Sequence, residues 1–362
     1  MITSKLKDLI DLIIDYRGKT PKKLGGDWSE SGYRVFSAKN IKTGEIVSSE
    51  SIRYVNNDLY RSWMKDEIQK GDILITSEAP FGQIYFWDSD EKIVLGQRLF
   101  AIRPKKSVNG KYLYYYMTGR DFQCELKARA TGTTVTGLRQ PELLQCQVSM
   151  PSKEQQDYVA HLLGTLDKKI QINVAINDNL LKLWETRTRK LLDSAATTPT
   201  LIGEICRPKQ WKTLTKSELT AGAPIDVYGA GGVIGQTREP NHNERVIGVV
   251  CRGAGCGTLM VIDPPSYVTG NVMCLDNITN QVGLPCLYAI LKDRGLSDIV
   301  SGSAQPQITG SSIKNTYINL PNYEVCNRIT KEGGQTFDMI NINKRENEHL
   351  TRIRDLLLSK LF

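Results

Sequence analysis

The chain has 362 residues, 40% of them hydrophobic and 24% charged, with a formal net charge of +8. That length admits two or three domains with their own cores, and the composition excludes a disordered or fibrous chain. No apolar run approaches bilayer length, and eight cysteines without a regular framework, behind an N-terminus that is not a secretory signal, point to reduced thiols and a cytoplasmic location.

Residues 1–150 carry about +5 and residues 197–325 about zero, which permits a nucleic-acid partner without demanding one. Lys5–Tyr16 has a short helical pattern, followed by the basic turn Arg17-Gly-Lys-Thr-Pro-Lys-Lys23. Tyr33–Ala38, Ile52–Val55, Asp72–Thr76, Gly82–Phe86 and Arg98–Ile102 read as strands between Gly, Asp, Asn and Pro turns. Lys111–Thr118 changes to a helical pattern in which Tyr112, Tyr115 and Tyr116 are packing residues. A polar loop and a short strand ending in Met150–Pro151 close this first globule.

Ser152–Asp193 predicts a long helix started by Pro151 and Ser152, with Gly164 marking a break. Its apolar stripe is Ile170, Val174, Asn177, Leu180, Leu183, Trp184 and Leu191, with a few polar insertions. Ala195–Pro199 reads as a linker. Strands near Ile225–Tyr228, Val246–Cys251, Gly257–Ile262 and Val272–Leu275, and a helix near Gly283–Lys292, build a second globule. The segment around Gly333–Gly334 is less helical in pattern, and Phe337–Phe362 forms a second long helix with Ile340, Asn347, Leu350, Ile353, Leu357 and Leu361 on its stripe. Neither stripe is stable alone in water, so the two helices are expected to pack on each other.

The second half restates the first. Thr309–Gly310 follows Thr136–Gly137 by about 173 residues, and each leads through a short strand, ending in Leu320–Pro321 or Met150–Pro151, to a long helix. An offset of about 170 superimposes Asn347 on Asn177, Leu350 on Leu180 and Ile353 on Leu183. The expected fold is therefore α/β (α+β): two similar mixed domains, separated by two long helices packed as an antiparallel coiled coil, with a pseudo-twofold internal repeat. The boundaries are 1–150 and 197–325 for the globules, and 151–196 and 326–362 for the helical regions.

Motifs for catalysis are weak. Gly229-Ala-Gly-Gly-Val-Ile-Gly235 lacks the following helix and the acidic residue of a dinucleotide loop, and reads as a hairpin or a DNA-facing turn. Asp263-Pro-Pro-Ser266 has serine where an adenine methyltransferase needs an aromatic ring, and reads as a turn. There is no P-loop. His161, His242 and His349 are scattered, Cys251 and Cys256 have no second pair, and no metal or cofactor site is assigned.

Recognition remains, and it falls to loops. Arg129-Ala-Thr-Gly-Thr-Thr-Val-Thr-Gly-Leu-Arg139 offers Arg129, Thr131, Thr133, Thr134 and Arg139 to phosphates and base edges. Its counterpart, Ser301–Gly310, offers Gln305 and Gln307, suited to pairing with adenine, and Thr309. Arg17, Lys19, Lys22 and Lys23 form the densest basic patch of the first globule; Lys39, Asn40 and Arg98, and in the second copy Arg238 and Arg252, are further candidates.

These pieces, in this order, resemble the specificity subunit of a type I restriction-modification system over nearly the whole chain. The likeness rests on Leu6–Asp8 with Arg17-Gly-Lys-Thr-Pro21, Lys70-Gly-Asp-Ile-Leu-Ile75, Gly96-Gln-Arg98, Thr136-Gly137, Met150-Pro151 and Glu154-Gln155-Gln156. In the second copy it rests on Tyr228-Gly-Ala-Gly-Gly232, Ile234-Gly235, Thr309-Gly310, Leu320-Pro321 and Asn347-Glu348 with Leu350. The copy departs at Pro321-Asn-Tyr-Glu-Val, which lacks the Pro-x-x-Glu-Gln-Gln form.

The resemblance implies a non-catalytic subunit in which each globule reads one half of a bipartite, asymmetric duplex DNA target. It implies helical regions that act as a ruler, and two methyltransferase subunits that use S-adenosylmethionine to modify an adenine in each half-site. Restriction-translocase subunits, with Mg2+ and ATP, complete the assembly, and this chain binds no cofactor and no membrane. A helix of about 40 Å, at roughly 1.5 Å per residue, is comparable to one turn of DNA. The competing readings are a non-catalytic protein scaffold or a DNA-recognition module of a related modification system.

Overall fold

Ile73, Leu74 and Ile75 are fully buried in consecutive positions because the strand Ile73–Thr76 lies inside a sheet covered on both faces. The computed structural model describes residues 2–132, 136–253, 255–302 and 305–362. The chain divides into two compact units, residues 1–171 with 347–362, and residues 172–346.

The first unit is built on an antiparallel sheet in the order Ile10–Asp15, Leu99–Pro104, Ile73–Thr76, Ile84–Phe86. Alternation sends Ile73, Ile75, Phe100 and Ile102 into a core with the helix Gly110–Thr118, and Ile14, Leu74, Leu99 and Ala101 into a second core. That second core, with Phe36, Trp63 and Trp87, is shared with a sheet ordered Arg53–Val55, Tyr33–Phe36, Val94–Leu95, whose last pair is parallel. Ile2–Lys5 pairs with Gln147–Met150. The stretch Lys5–Tyr16 is thus not a helix: one turn, Leu6–Leu9, gives way to a strand. Ile10, Ile13 and Ile14 are β-branched, and pairing with Leu99–Pro104 overrides the local helical pattern.

The second unit uses the same plan. Its antiparallel sheet runs Arg207–Gln210, Val272–Asp276, Val246–Val250, Leu259–Ile262. A three-stranded sheet, Gly232–Thr237, Ile225–Gly229, Ser266–Val268, also ends in a parallel pair. Ile247, Val249, Met273 and Leu275 face a core with the helix Leu284–Arg294, while Val246, Val272 and Cys274 face a smaller one. Ala195–Pro199 is not a free linker, because Thr197–Leu201 pairs with Tyr317–Pro321.

Two long helices complete the architecture, Lys153–Ser194 and Tyr323–Leu361. The first runs unbroken through Gly164, beside which the nearest side-chain atom is the Tyr115 hydroxyl, 3.8 Å from where a Cβ would be. The second begins well before Phe337 and passes through Gly333–Gly334. Asn322 caps it by accepting from Val325 N–H at 3.0 Å, and Gly333 lets Pro285 and Trp184 approach the helix closely.

Within each unit the helices meet antiparallel. In the second unit Asn343 Nδ2 donates to Asn177 Oδ1 (2.7 Å), Asn173 Nδ2 to Glu346 Oε2 (2.6 Å), and Asn177 Nδ2 approaches Ile340 O at 3.4 Å. Trp184 is buried against Phe337, ring centroids 5.0 Å apart, and Leu191 packs on the same core. In the first unit Asn347 Nδ2 donates to Ile170 O (3.3 Å), Arg354 Nη1 to Asp167 Oδ1 (2.9 Å), and Leu357 reaches the core. Burial and the Asp167 carboxylate push the Tyr115 phenol well above its usual range, with its hydroxyl on Asp167 Oδ2 at 2.6 Å.

Leu180 and Leu350 are half-buried. Four residues of the expected stripe are not on the seam: Val174, Leu183, Ile353 and Leu361 are 40–58% exposed. The seam in the second unit instead passes through Asn173, Asn177, Trp184 and Thr188, so that 174 and 183 lie one residue, about 100°, to the side. Among the described residues, no helix is long and apolar enough to cross a membrane. The eight cysteines are all free thiols.

Candidate nucleic-acid interface

Both units end their central strand at a carbonyl that anchors a polar loop. In the first, Leu138 N–H donates to Ser77 O (3.0 Å), just past the strand Ile73–Thr76, and Ser77 N–H donates to Arg98 O (2.9 Å). Thr131 and Gly137 exchange two hydrogen bonds of 2.9 Å, closing a loop between them. Leu138 is buried and pins the loop, after which the helix Gln140–Gln145 begins.

The second unit repeats these contacts. Ile308 N–H donates to Cys251 O (3.0 Å), just past the strand Val246–Val250, and Cys251 N–H donates to Asn271 O (3.0 Å). Ser301 and Gln307 exchange bonds of 2.9 and 2.8 Å, Ile308 is buried, and the helix Gly310–Lys314 follows. Each loop is thus tied at its base by paired backbone hydrogen bonds and pinned to its sheet by one buried apolar residue, Leu138 or Ile308.

The geometry sorts the expected contact residues. Arg17, Arg98 and the 129–139 loop converge. Arg17 is half-buried, its guanidinium forked on Asp15 at 2.9 Å, 3.9 Å over the Phe100 ring, with Nη1 on Leu138 O at 3.2 Å. Arg98 pairs with Glu78 (3.0 Å) from a left-handed backbone, φ +63°. Arg129 is held by Glu125 (3.0 Å) and Glu142 (3.5 Å), which turns it toward the helices rather than outward. Arg139 and Thr131 are exposed; Thr133 and Thr134 lie outside the described residues.

In the second unit Arg252, Gln305 and Gln307 converge, all exposed, with Arg252 bridging Gln307 through the backbone. Thr309 caps the following helix, its Oγ1 accepting from Ser312 N–H at 3.1 Å, which occupies the hydroxyl. Arg238 is exposed just past the strand Gly232–Thr237.

The basic turn is partly committed. Lys19 Nζ donates to Trp63 O (2.8 Å); burial, then the neighbouring Lys65, holds its ammonium below the usual lysine range. Lys23 Nζ donates to Gly18 O (2.8 Å), and Lys22 and Lys39 are exposed. Asn40 is not available for DNA: it is 1% exposed, because its side chain accepts from Ser37 and donates to Ser48 O and Ser51. A second cationic cluster, absent from the sequence reading, lines a cleft around Lys70, Arg103 and Lys111. Asp72 takes Arg103, and Asp88 takes both lysines.

The Gly229–Gly235 segment forms a hairpin, in which Gly229 pairs with Gly232. Asp263–Ser266 is a connection between strands, joining Leu259–Ile262 to Ser266–Val268, with Asp263 accepting from Arg245 at 2.6 Å. His161 and His349 are exposed on the long helices. His242 instead comes together with Cys274 and Asp276, a cluster missed because its members are spread over 35 positions.

Residues 1–182 and 199–352 match the type I restriction modification DNA specificity domain. The chain is 24% identical over 376 aligned positions to a type I specificity subunit of Mycoplasma genitalium, covering 95% of this chain and 96% of that one. It is 27% identical over 175 residues to the MjaVIII type I restriction enzyme specificity subunit of Methanocaldococcus jannaschii, covering 46% of this chain and 40% of that one. The crystal structure of the S subunit of a type I restriction-modification system from M. genitalium shares the fold, with a TM-score of 0.66 and 20% identity over 100% of this chain and 96% of that one.

Proposed function

The chain belongs to the family of type I restriction-modification DNA specificity domains, and from that premise we propose that its two domains, 1–150 and 197–325, each read one half of a bipartite, asymmetric duplex target. As a member of that family it is a non-catalytic DNA-recognition component that directs partner subunits. The helical regions 151–196 and 326–362 act as the spacer between half-sites, and the whole is a pseudo-twofold internal repeat. Two methyltransferase subunits and the restriction-translocase subunits are its partners, and those subunits, not this chain, use S-adenosylmethionine, Mg2+ and ATP.

One observation carries this reading: the loop tied to Ser77 O through Leu138 and the loop tied to Cys251 O through Ile308 are anchored by equivalent backbone hydrogen bonds in the two units. Arg139, Thr131, Thr133, Thr134 and Arg98 serve the first half-site, and Arg252, Gln305, Gln307 and Arg238 the second. Arginine suits a guanine edge and glutamine an adenine edge, while Lys22, Lys23 and Lys39 set register on phosphates. Arg17 and Arg129 act by fixing the loop that carries the contacts.

Selection of duplexes from a random pool, with the chain co-purified with its methyltransferase subunit, tests the proposal. Two short conserved half-sites at a constant random gap are expected. A single site, or no enrichment at low salt, returns the chain to the scaffold reading.

A further inference from the structure

Four groups in the second domain fix where one imidazole carries its proton. Asn241 is locked by Val268, its Nδ2 donating to Val268 O at 3.0 Å and its Oδ1 accepting from Val268 N–H at 2.9 Å. That same Oδ1 lies 2.7 Å from His242 Nδ1. An acceptor there requires Nδ1 to be the protonated nitrogen, so in the neutral ring Nε2 presents a lone pair. Nε2 faces another acceptor, Asp276 Oδ1, at 3.1 Å.

Cys274 stands two residues before Asp276 on the same face of the strand Val272–Asp276, and the ligand atoms of all three residues lie within 4.8 Å of one another. Cys274 is fully buried, and the His242 and Asp276 side chains are 9% and 16% exposed. Trp211 stands edge-on to the imidazole, centroids 5.2 Å apart. Ser266, opposite His242 in a β-bridge, has a buried hydroxyl with no hydrogen-bond partner among the described residues.

We propose that His242 Nε2, Cys274 Sγ and the Asp276 carboxylate bind a divalent cation of the zinc class, with Ser266 beside them. Nitrogen, sulfur and oxygen donors together suit zinc, whereas calcium and magnesium take oxygen alone. Asn241 is the outer partner that fixes the tautomer of a metal-bound histidine. Binding releases the Cys274 thiol proton, which burial otherwise holds on the sulfur.

The place of the site gives the ion a structural task. The core between the two sheets has eighteen buried residues in the first unit but five in the second, among the described residues. The ion would clamp the strand Val272–Asp276 to the segment at His242, itself bridged to Ser266, where apolar packing is thin.

The test uses the full chain, stripped with chelator and reloaded with Co2+ or Zn2+. One equivalent of zinc and a thiolate-to-cobalt charge-transfer band are expected, with the band lost in Cys274→Ser. Should that variant not fold, Asp276→Asn carries the comparison, with at least a tenfold loss of zinc affinity against a chromophoric chelator. Less than a tenth of an equivalent of zinc in the folded wild type, a band retained in Cys274→Ser, or unchanged affinity in Asp276→Asn overturns the site and leaves only the His242–Asp276 contact. None of these results bears on DNA binding, so this proposal and the proposed function fail separately.

Discussion

Asn343 and Asn177 meet side chain to side chain across the helix seam of the second unit, Nδ2 to Oδ1 at 2.7 Å, where apolar residues would be the simpler packing. A buried amide pair satisfies itself in one register only, so its value is in alignment more than in stability. Asn343→Ala should cost about 1–3 kcal/mol by stranding a buried polar partner, whereas Asn177→Leu with Asn343→Leu should be near neutral or stabilising. Urea unfolding of the three proteins checks this. Equal losses in single and double variants would refute the alignment role.

Two neighbouring glycines of one helix should respond in opposite directions. A Cβ on Gly333 would lie 2.5 Å from Pro285 Cβ and 2.9 Å from Trp184 Cζ2, while Gly334 faces open space. Gly333→Ala should therefore destabilise by about 1–3 kcal/mol, and Gly334→Ala should stabilise by about 0.5–1 kcal/mol. Thermal melts decide it, and two shifts of the same sign would contradict the packing described.

Arginines of the first loop should divide by their partners. Arg139→Ala, like Arg252→Ala in the second unit, should weaken binding to the cognate duplex and reduce the salt slope by about 1 if the contact is to phosphate. If the contact is to a base, specificity should relax at one position of one half-site instead. Arg129→Ala should loosen the loop through Glu125 and Glu142, lowering affinity without changing the salt slope. Binding isotherms at several salt concentrations separate these outcomes.

Glu218 provides a pH marker. The Lys212 ammonium, then the Thr215 backbone N–H and hydroxyl, hold its carboxyl down to about 2. A depressed carboxylate stabilises the fold fully above its unfolded value of about 4.3, and loses that contribution as pH falls toward 2. Carboxyl NMR titration should place its midpoint near 2, and Lys212→Met should raise it. A midpoint above 4 in the wild type would show that the cluster does not form.

The sequence reveals elements wherever a continuous apolar run is bounded by turn formers. Val272–Asp276 and Leu99–Pro104 are legible because short apolar runs, Val-Met-Cys-Leu and Leu-Phe-Ala-Ile, lie between turn formers. Thr197–Leu201 is not, since Thr-Thr-Pro reads as a linker until Tyr317–Pro321, over a hundred residues later, pairs with it. The helix seam is half legible. Trp184 and Leu191 follow the apolar period, but Asn173 is 1% exposed and polar, so a hydrophobic count steps onto Val174 instead.

The recognition loops show the same limit. Their glycines and threonines mark them as loops, yet the pairing of Glu78 with Arg98 joins two separate strand ends, and Asn40 is buried by a local turn whose Ser37, Ser48 and Ser51 partners no sequence period marks. His242, Cys274 and Asp276 are brought together only by sheet pairing, which no local spacing announces.

Synthesis order gives the division of the chain a further consequence. Residues 172–346 supply the whole of one unit and interrupt the other. Once residues 1–171 have left the ribosome, Tyr112 and Tyr116 still lack Phe362, whose ring sits 5.5 and 5.4 Å from theirs, and Asp167 still lacks Arg354. At about 5–20 residues per second, the missing segment follows on the order of ten to thirty seconds later. The unit made first is therefore finished last.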